Sequence, residues 1–377
     1  MKIAFIYDAV YPWVKGGAEK RVYELAKRLA LRGHEVHWYS IGWWWTENDH
    51  TDIVMEGIKL HGVSDPIDLY SDNRRSIKEA IIFSLKLLKP LFKDTYDVVD
   101  CQGFPFFSCF TAKIHSVLGK SRLIITLLEV WGDFWYEYLG KLGIFGIIIE
   151  RLMLSLTDNF ISISYKTKKD LKQIKKSERS TVIPPGIDFN DIQKVKKSAE
   201  VSDVIFAGRL IKEKNVDVLI NSMDIVKRKF PEIKCIIIGE GPEEDKLKQL
   251  VKELEIENSI IFKGFMENYD DLIGHLKSSR VFVLPSTREG FGMVVIEANA
   301  CGIPVVTVNH HMNAAADLVV DGMNGFKIQL EAEDMASQII KSIDPHNEFR
   351  DKCIEMSRGY DWEIIVDSLE KVYRSII

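Results

Sequence analysis

Glu289 and Glu297 bracket the stretch Glu289-Gly-Phe-Gly-Met-Val-Val-Ile-Glu297. Ahead of it, Arg280-Val-Phe-Val-Leu-Pro-Ser286 reads as a buried strand stopped by proline, and the run from Met293 to Ala300 reads as a helix. A strand, a glycine-bearing loop and a helix in that order aim a helix N-terminus at an anion. The backbone N–H groups of Gly290, Phe291, Gly292 and Met293 open that helix. A carboxylate accepts hydrogen bonds on two oxygens, which suits vicinal hydroxyls. Two carboxylates, one in the loop and one two helical turns on, can therefore hold a polyhydroxylated ligand at two places. A solvated loop glutamate and an ordinary helix-surface glutamate would show the same spacing, so the pair needs support from elsewhere in the chain.

Cations supply part of that support. Val204-Ile-Phe-Ala-Gly208 reads as a strand ending in glycine, followed at once by Arg209 and, five residues on, by Lys214. A guanidinium just past a strand end can reach a crevice with bidentate phosphate geometry, and a nearby ammonium adds a second charge. Near the start of the chain, Gly16-Gly17 separates the first predicted strand from the first predicted helix. A glycine pair lets backbone N–H groups approach a phosphate at the positive end of a helix, or simply makes a tight turn. Neither Gly16-Gly17 nor Gly239-Glu-Gly241-Pro completes the Gly-x-Gly-x-x-Gly fingerprint, which weakens the case for a nicotinamide or flavin enzyme.

Positioning these groups takes a chain long enough for two domains. The 377 residues are 46% hydrophobic, with mean hydropathy −0.05, as in an ordinary globular protein. The five cysteines form no Cys-x-x-Cys pair, which argues against a zinc site or disulfide framework and for a reducing compartment. The opening Met-Lys-Ile-Ala-Phe-Ile-Tyr-Asp8 is too short an apolar run for a signal peptide and reads as a strand. No apolar stretch reaches the roughly 18 residues of a membrane span. Residues 1–185 carry a net charge of +4 and residues 186–377 one of −9, a split that suggests two bodies with different partners. A nucleic-acid binder would show a far stronger basic excess.

Near-continuous apolar strands alternate with helices, the pattern of parallel sheets covered on both faces. The expected strands are Ile3–Tyr7, Val36–Tyr39, Val98–Cys101, Leu123–Leu127 and Asn159–Ile163 in the first half. In the second half they are Val204–Phe206, Lys234–Ile238, Ser259–Phe262, Val281–Leu284 and Val305–Val308. Five strands and five strands predict an α/β protein of two Rossmann-like, doubly wound domains that bind ligands at the carboxyl ends of their strands. Pro184-Pro185-Gly186 is the natural hinge, giving domains 1–185 and 186–360, and residues 361–377 read as an amphipathic helix.

Six pieces in one order now resemble the GT4 family of retaining, nucleotide-sugar-dependent glycosyltransferases, which have the GT-B fold. They are Gly16-Gly17-Ala-Glu19, Val182-Ile-Pro-Pro-Gly-Ile-Asp188, the Gly208-Arg209-Leu…Lys214 stretch, Gly239-Glu-Gly-Pro-Glu243, Pro285-Ser-x-x-Glu-Gly-Phe-Gly292, and Glu297-Ala-x-Ala-x-Gly-x-Pro-Val305. The resemblance spans nearly the whole chain. It implies a central cleft between an N-terminal acceptor-binding domain, joined by the terminal helix 361–377, and a C-terminal donor-binding domain. It implies that Arg209 and Lys214 take the donor diphosphate, that Glu289 works at the transferred sugar, and that Glu297 accepts from the ribose hydroxyls. Gly16, Gly17, Gly208, Gly264, Gly290, Phe291, Gly292 and Met293 would complete the donor site, with the base against Gly264-Phe-Met266. No Asp-x-Asp metal motif occurs in the chain, so fixed cations and helix N-termini would neutralise the leaving group, with no metal and no cofactor beyond the donor substrate.

The acceptor side is less clearly written. Seven of the eight tryptophans fall in the first half, and Trp43–Trp45 follow a strand end, where either a sugar ring or ordinary packing would use them. Relatives often carry Thr-x-His where this chain has Thr126-Leu-Leu128, and no histidine nearby replaces it. His115 falls on a predicted helix as a structural residue. Lys141–Leu156 is strongly apolar with few charges and suggests either peripheral membrane contact, with a lipid-linked acceptor at the cytoplasmic membrane face, or a buried helix. Two alternatives to a glycosyltransferase stay open: a non-catalytic nucleotide-sugar-binding protein, favoured by Leu128, and a GT-B sugar-nucleotide epimerase, which the Glu-x7-Glu spacing disfavours.

Overall fold

The computed structural model describes all residues except 72–73, 177–178 and 345–347. The chain divides into two compact units, Met1–Pro185 with Trp362–Ile377, and Gly186–Asp361.

The first unit is built on β1 (Lys2–Ile6), α1 (Gly17–Leu31), β2 (Glu35–Ser40), β3 (Ile53–Met55) and β4 (Ile58–Gly62). A short antiparallel pair, β5 (Tyr70–Ser71) with β6 (Arg74–Arg75), leads into α2 (Ile77–Leu91), β7 (Val98–Gln102), α3 (Phe107–Val117) and β8 (Arg122–Leu127). Then come α4 (Phe134–Leu139), α5 (Gly143–Leu154), β9 (Asn159–Ser162), α6 (Tyr165–Ile174) and β10 (Arg179–Val182). The sheet has eight strands in the order β10-β9-β8-β7-β1-β2-β4-β3, all parallel except β3, which runs antiparallel on β4. The chain reverses its direction of travel at β1. Right-handed crossovers accordingly put α1 on one face and α2, α3 and α5 on the other.

The second unit runs α7 (Phe189–Lys194), β11 (Val204–Ala207), α8 (Val216–Lys229), β12 (Cys235–Ile238), α9 (Glu244–Glu253), β13 (Ile260–Lys263) and α10 (Tyr269–Lys277). It continues with β14 (Val281–Leu284), α11 (Met293–Ala300), β15 (Val305–Val308), β16 (Gly325–Ile328), α12 (Ala332–Ser342) and α13 (Arg350–Arg358). Its sheet is fully parallel, ordered β13-β12-β11-β14-β15-β16. Strands β11, β12, β14 and β15 are buried along their whole length, as apolar strands covered on both faces must be.

The last helix, α14 (Trp362–Ile376), returns to the first unit. Trp362, Ile365, Val366, Leu369 and Tyr373 form the buried stripe expected of a 3.6-residue period. Each such side chain contributes about 1.5–3 kcal/mol when fully buried. Arg32, at the end of α1, reaches Glu363 and Asp367 at 2.6 Å each, and Tyr373 donates to buried Asp100 at 2.6 Å.

Two parallel sheets confirm the expected fold class, but four principal strands lay outside the sequence reading: β3, β4, β10 and β16. Three of them are sheet edges. β10 (Arg-Ser-Thr-Val) and β16 (Gly-Phe-Lys-Ile) expose part of their length, so their sequences need not be continuously apolar.

Candidate active site

In the second unit β11, β12 and β13 step outward in one direction while β14, β15 and β16 step in the other. The order therefore switches between β11 and β14, and the crevice at the carboxyl ends of those two strands is where such a sheet binds ligands. Gly208 follows β11 directly, and Arg209 beside it is exposed. Lys214 closes a short 3-10 turn, Lys212–Lys214, ahead of α8. From the far side of the switch point, Glu289 lies in the loop after β14, and its Oε1 sits 2.5 Å from Lys214 Nζ. The two side chains are 15% and 13% exposed, so the pair is sheltered but open to a ligand. Residues 75 apart in sequence thus meet at one point.

The loops carrying them are tied together. Asn215 adopts the left-handed conformation (φ 46°), and its amide donates to Pro285 O at 3.1 Å and Thr287 Oγ1 at 3.3 Å. The N–H of Thr287 donates to Glu213 O at 3.1 Å. On the other flank, the N–H of Glu289 donates to Met312 O and the N–H of Ala314 to Glu289 O, at 3.1 and 2.9 Å. Neighbouring Gly239 approaches so closely that a Cβ there would lie 2.0 Å from Gly208 O, so any side chain would push the β11 loop away. Gly264 follows β13, and the next N–H, of Phe265, donates to Glu240 Oε1 at 3.1 Å.

Gly290 is half-buried in the loop; Phe291 is buried, its ring 5.8 Å from that of Tyr360. Gly292 caps α11 at φ 95°, a conformation that favours glycine, and Met293 begins the helix. Glu297 lies two turns on. It is buried and accepts a hydrogen bond from the Tyr269 hydroxyl at 2.9 Å. Burial, then the Glu297 charge, push the Tyr269 phenol well above its ordinary range, so Tyr269 stays a donor. The sequence reading missed Tyr269: it stands 28 residues before its partner, with no local pattern to connect them.

Gly16 and Gly17 belong to the first unit, exposed at the N-terminus of α1. The Glu19 carboxylate folds back beside them, so that a Cβ on Gly16 would meet Glu19 Oε2 at 2.3 Å. Tyr7 donates to the other oxygen, Oε1, at 3.0 Å, and burial raises the Glu19 pKa. The glycine pair thus admits a side-chain carboxylate to this helix end.

Deeper in the same unit, buried Asp8 pairs with Arg75 and lies against buried Glu79. Desolvation and the Asp8 charge push Glu79 up to about 8. Leu128, after β8, is half-buried, and its carbonyl accepts from Thr167 Oγ1 at 3.4 Å. The following loop is held by buried Glu150, which accepts from the N–H groups of Trp131 and Gly132 at 2.8 and 2.9 Å. Trp131 stacks on Phe104 at 5.3 Å.

Trp43, Trp44 and Trp45 each spend the indole N–H on a backbone carbonyl, of Asp8, Thr51 and Thr51, at 2.8, 2.9 and 3.1 Å. Trp45 also fills the space left by Gly42 and Gly62. Packing therefore accounts for these three. His115 is buried and engages Ser121 Oγ at 2.8 Å and Asp94 O at 3.2 Å, as a structural histidine does. All five cysteines are buried free thiols. Among the described residues no group of three or more His, Cys, Asp or Glu side chains is placed to hold a metal ion, and no helix is long and apolar enough to cross a membrane.

Comparison with known proteins bears on this architecture. Two family models match the chain side by side: Glycosyltransferase Family 4 over residues 15–191, and Glycosyl transferases group 1 over residues 188–360. An uncharacterized glycosyltransferase of Haemophilus influenzae is 27% identical over 93% of this chain and 94% of its own. Among solved structures, a sucrose-phosphate synthase from Thermosynechococcus elongatus superposes with a TM-score of 0.81 at 19% identity, covering 99% of this chain and 98% of that one. The Anabaena protein HepE, solved in complex with UDP-glucose, matches over 100% of both chains with a TM-score of 0.73 at 20% identity. The chain belongs to the GT4 family of GT-B glycosyltransferases, whose members use nucleotide-sugar donors.

Proposed function

We propose that this protein is a retaining, metal-independent, cytoplasmic hexosyltransferase that moves a sugar from a nucleotide diphosphate sugar to a glycan, lipid-linked or small-molecule acceptor, working at the cytoplasmic face of a membrane. The unit Gly186–Asp361 binds the donor and the unit Met1–Pro185 the acceptor. The observation that carries this reading is the Lys214–Glu289 pair astride the β11/β14 switch point, with Arg209 exposed beside it. An arriving diphosphate gives Lys214 a second anionic partner. As the glycosidic bond breaks, charge builds on the leaving phosphate, and Arg209 and Lys214 stabilise it more strongly than in the ground state. Glu289, held next to Lys214, faces the transferred sugar, and Glu297, oriented by Tyr269, takes the ribose hydroxyls. The departing phosphate helps to take the acceptor proton, which gives front-face transfer with retention. The UDP-glucose complex of HepE supports a uridine donor. Buried free thiols suit a reducing compartment.

The test is a thermal-shift panel of nucleotide sugars followed by donor hydrolysis with the best binder, in the presence of EDTA. Stabilisation by a nucleoside diphosphate sugar and EDTA-resistant turnover are expected. Absence of any stabilisation would remove the donor assignment, and EDTA-sensitive turnover would remove metal independence.

A further inference from the structure

Three helices on one face of the first unit's sheet, α2, α3 and α5, pack side by side: Ser84 of α2 donates to Phe107 O of α3 at 2.8 Å, and α3 in turn touches α5. Their outer surfaces are apolar where a water-facing layer would be polar. Ile81 and Leu85 on α2, Ile114 on α3, and Phe145, Ile148 and Leu152 on α5 are all exposed; Leu85 and Phe145 are 63% and 62% accessible. Phe145, Ile148 and Leu152 follow one another at i, i+3 and i+7, a single stripe along α5.

The charges on these helices are of one sign at the surface. Lys86, Lys89, Lys113 and Arg151 stand among the exposed apolar side chains without an ion-pair partner among the described residues. The acidic residues of the three helices are Glu79 and Glu150, and both point inward, 0% and 2% exposed: Glu79 toward Asp8, Glu150 onto the backbone of Trp131 and Gly132. An apolar layer studded only with cations complements an anionic bilayer surface, with apolar side chains entering the headgroup boundary and basic ones meeting lipid phosphates. A face meant for an acidic protein partner would not need three helices' worth of exposed aliphatic side chains.

We propose that α2, α3 and α5 together form the docking surface by which this protein sits on an anionic membrane. This deepens the membrane part of the proposed function, and vesicle binding reports on it without turnover of any donor. The experiment is flotation of the full chain with phosphatidylcholine vesicles and with phosphatidylcholine–phosphatidylglycerol vesicles, at low and high salt. The wild type is expected to float with the anionic vesicles at low salt, to be partly released by high salt, and to stay down with the neutral ones. Phe145→Ser with Ile148→Ser should abolish flotation, and Leu85→Ser should reduce it, which extends the surface beyond α5. Lys86→Glu with Arg151→Glu should weaken partitioning to anionic vesicles by at least tenfold, since each basic residue at such a surface is worth roughly fivefold. These side chains are exposed, and thermal melts of the variants identify any that fail to fold. Failure of the wild type to float with either vesicle, or equal flotation of wild type and both double variants, overturns the proposal. So does concentration-dependent self-association in sedimentation velocity that Phe145→Ser with Ile148→Ser removes, which would give the face to a second copy of the chain.

Discussion

At the strand ends of the unit Gly186–Asp361, charged side chains are exposed or half-sheltered: Arg209 is open and the Lys214–Glu289 pair can still be reached. In the other unit, the charges are turned inward. Asp8 and Glu79 are buried beside Arg75, Glu150 clamps a loop backbone, and Asp100, in the middle of β7, receives Thr126 Oγ1 and the Tyr373 hydroxyl, each at 2.6 Å. Two sheets of related topology thus use their charged side chains for different ends. One leaves charge accessible; the other consumes it in holding loops and the returning helix α14. Polar residues at a strand end are evidence of a site only when something keeps them accessible.

The sharpest way to break that contrast is to remove a charge from each side. Asp100→Ala deletes the acceptor of Thr126, Tyr373 and Gln102 and leaves buried Arg21 without its nearby carboxylate. It should destabilise the protein by about 3–5 kcal/mol, measured by denaturant unfolding, because breaking a buried charged cluster strands the remaining partners. Glu289→Ala should leave stability nearly unchanged and instead slow turnover by about 10²–10³-fold. Equal loss of stability in both variants would erase the distinction. Next in size, Arg209→Ala should weaken bare nucleoside diphosphate binding by about 1.5–3 kcal/mol in calorimetry, while Glu289→Ala leaves that affinity intact or raises it slightly by freeing Lys214. Glu297→Ala should weaken any ribose-bearing ligand, and Tyr269→Phe should do so less, by about 0.5–1.5 kcal/mol, as it removes one neutral donor.

Much of the contrast was legible before any coordinates. Continuous apolar runs such as Val281–Leu284 declare buried parallel strands, and Gly208, Gly239 and Gly264 directly follow three of them, β11, β12 and β13. The sequence reading placed Glu289 and Lys214 in one site, but their direct pairing joins two loops across a sheet, which no local pattern encodes. Tyr269, Glu240 and Asn215 were missed for the same reason: each acts through a tertiary hydrogen bond. The tryptophans were left open between two uses. Aromatic rings past a strand end look like a ligand platform, and only the backbone acceptors at Asp8 and Thr51 reveal Trp43–Trp45 as packing. Strand β4, which alternates buried and exposed residues over Ile58–Gly62, is too short for its period to stand out.

The inward charge cluster also makes a pH prediction. In the folded protein the Asp8–Glu79 pair keeps a proton, with Glu79 pushed up to about 8, whereas an unfolded chain releases it near the ordinary 4.5. Between those values the native state binds more protons than the unfolded state, so the pair's contribution to stability falls as pH rises and levels off above about 8. Glu79→Gln keeps a neutral donor toward Asp8 at every pH. Its melting temperature should be close to wild type near pH 5 and should exceed it increasingly toward pH 8. A gap that stays constant with pH, or shrinks, would show that the pair does not hold the proton.

The smallest expected effect belongs to Leu128, where relatives often carry histidine. The position is half-buried in a loop fixed by Glu150 and Thr167, so Leu128→His should fold normally. General acid–base groups typically contribute about 10²–10⁴-fold when a partner sets their tautomer and orientation, and among the described residues no such partner is built for a side chain at Leu128, whose loop is held through backbone groups. If the departing phosphate is the main proton acceptor, the natural protein transfers sugar unaided. Leu128→His should then change the rate by about tenfold at most and leave nucleotide affinity untouched. The decisive comparison is between chemistry and binding in the same two proteins. A wild type that binds donor but turns over none, beside a Leu128→His variant that turns it over, would make the natural chain a nucleotide-sugar-binding protein and assign the missing step to the lost imidazole.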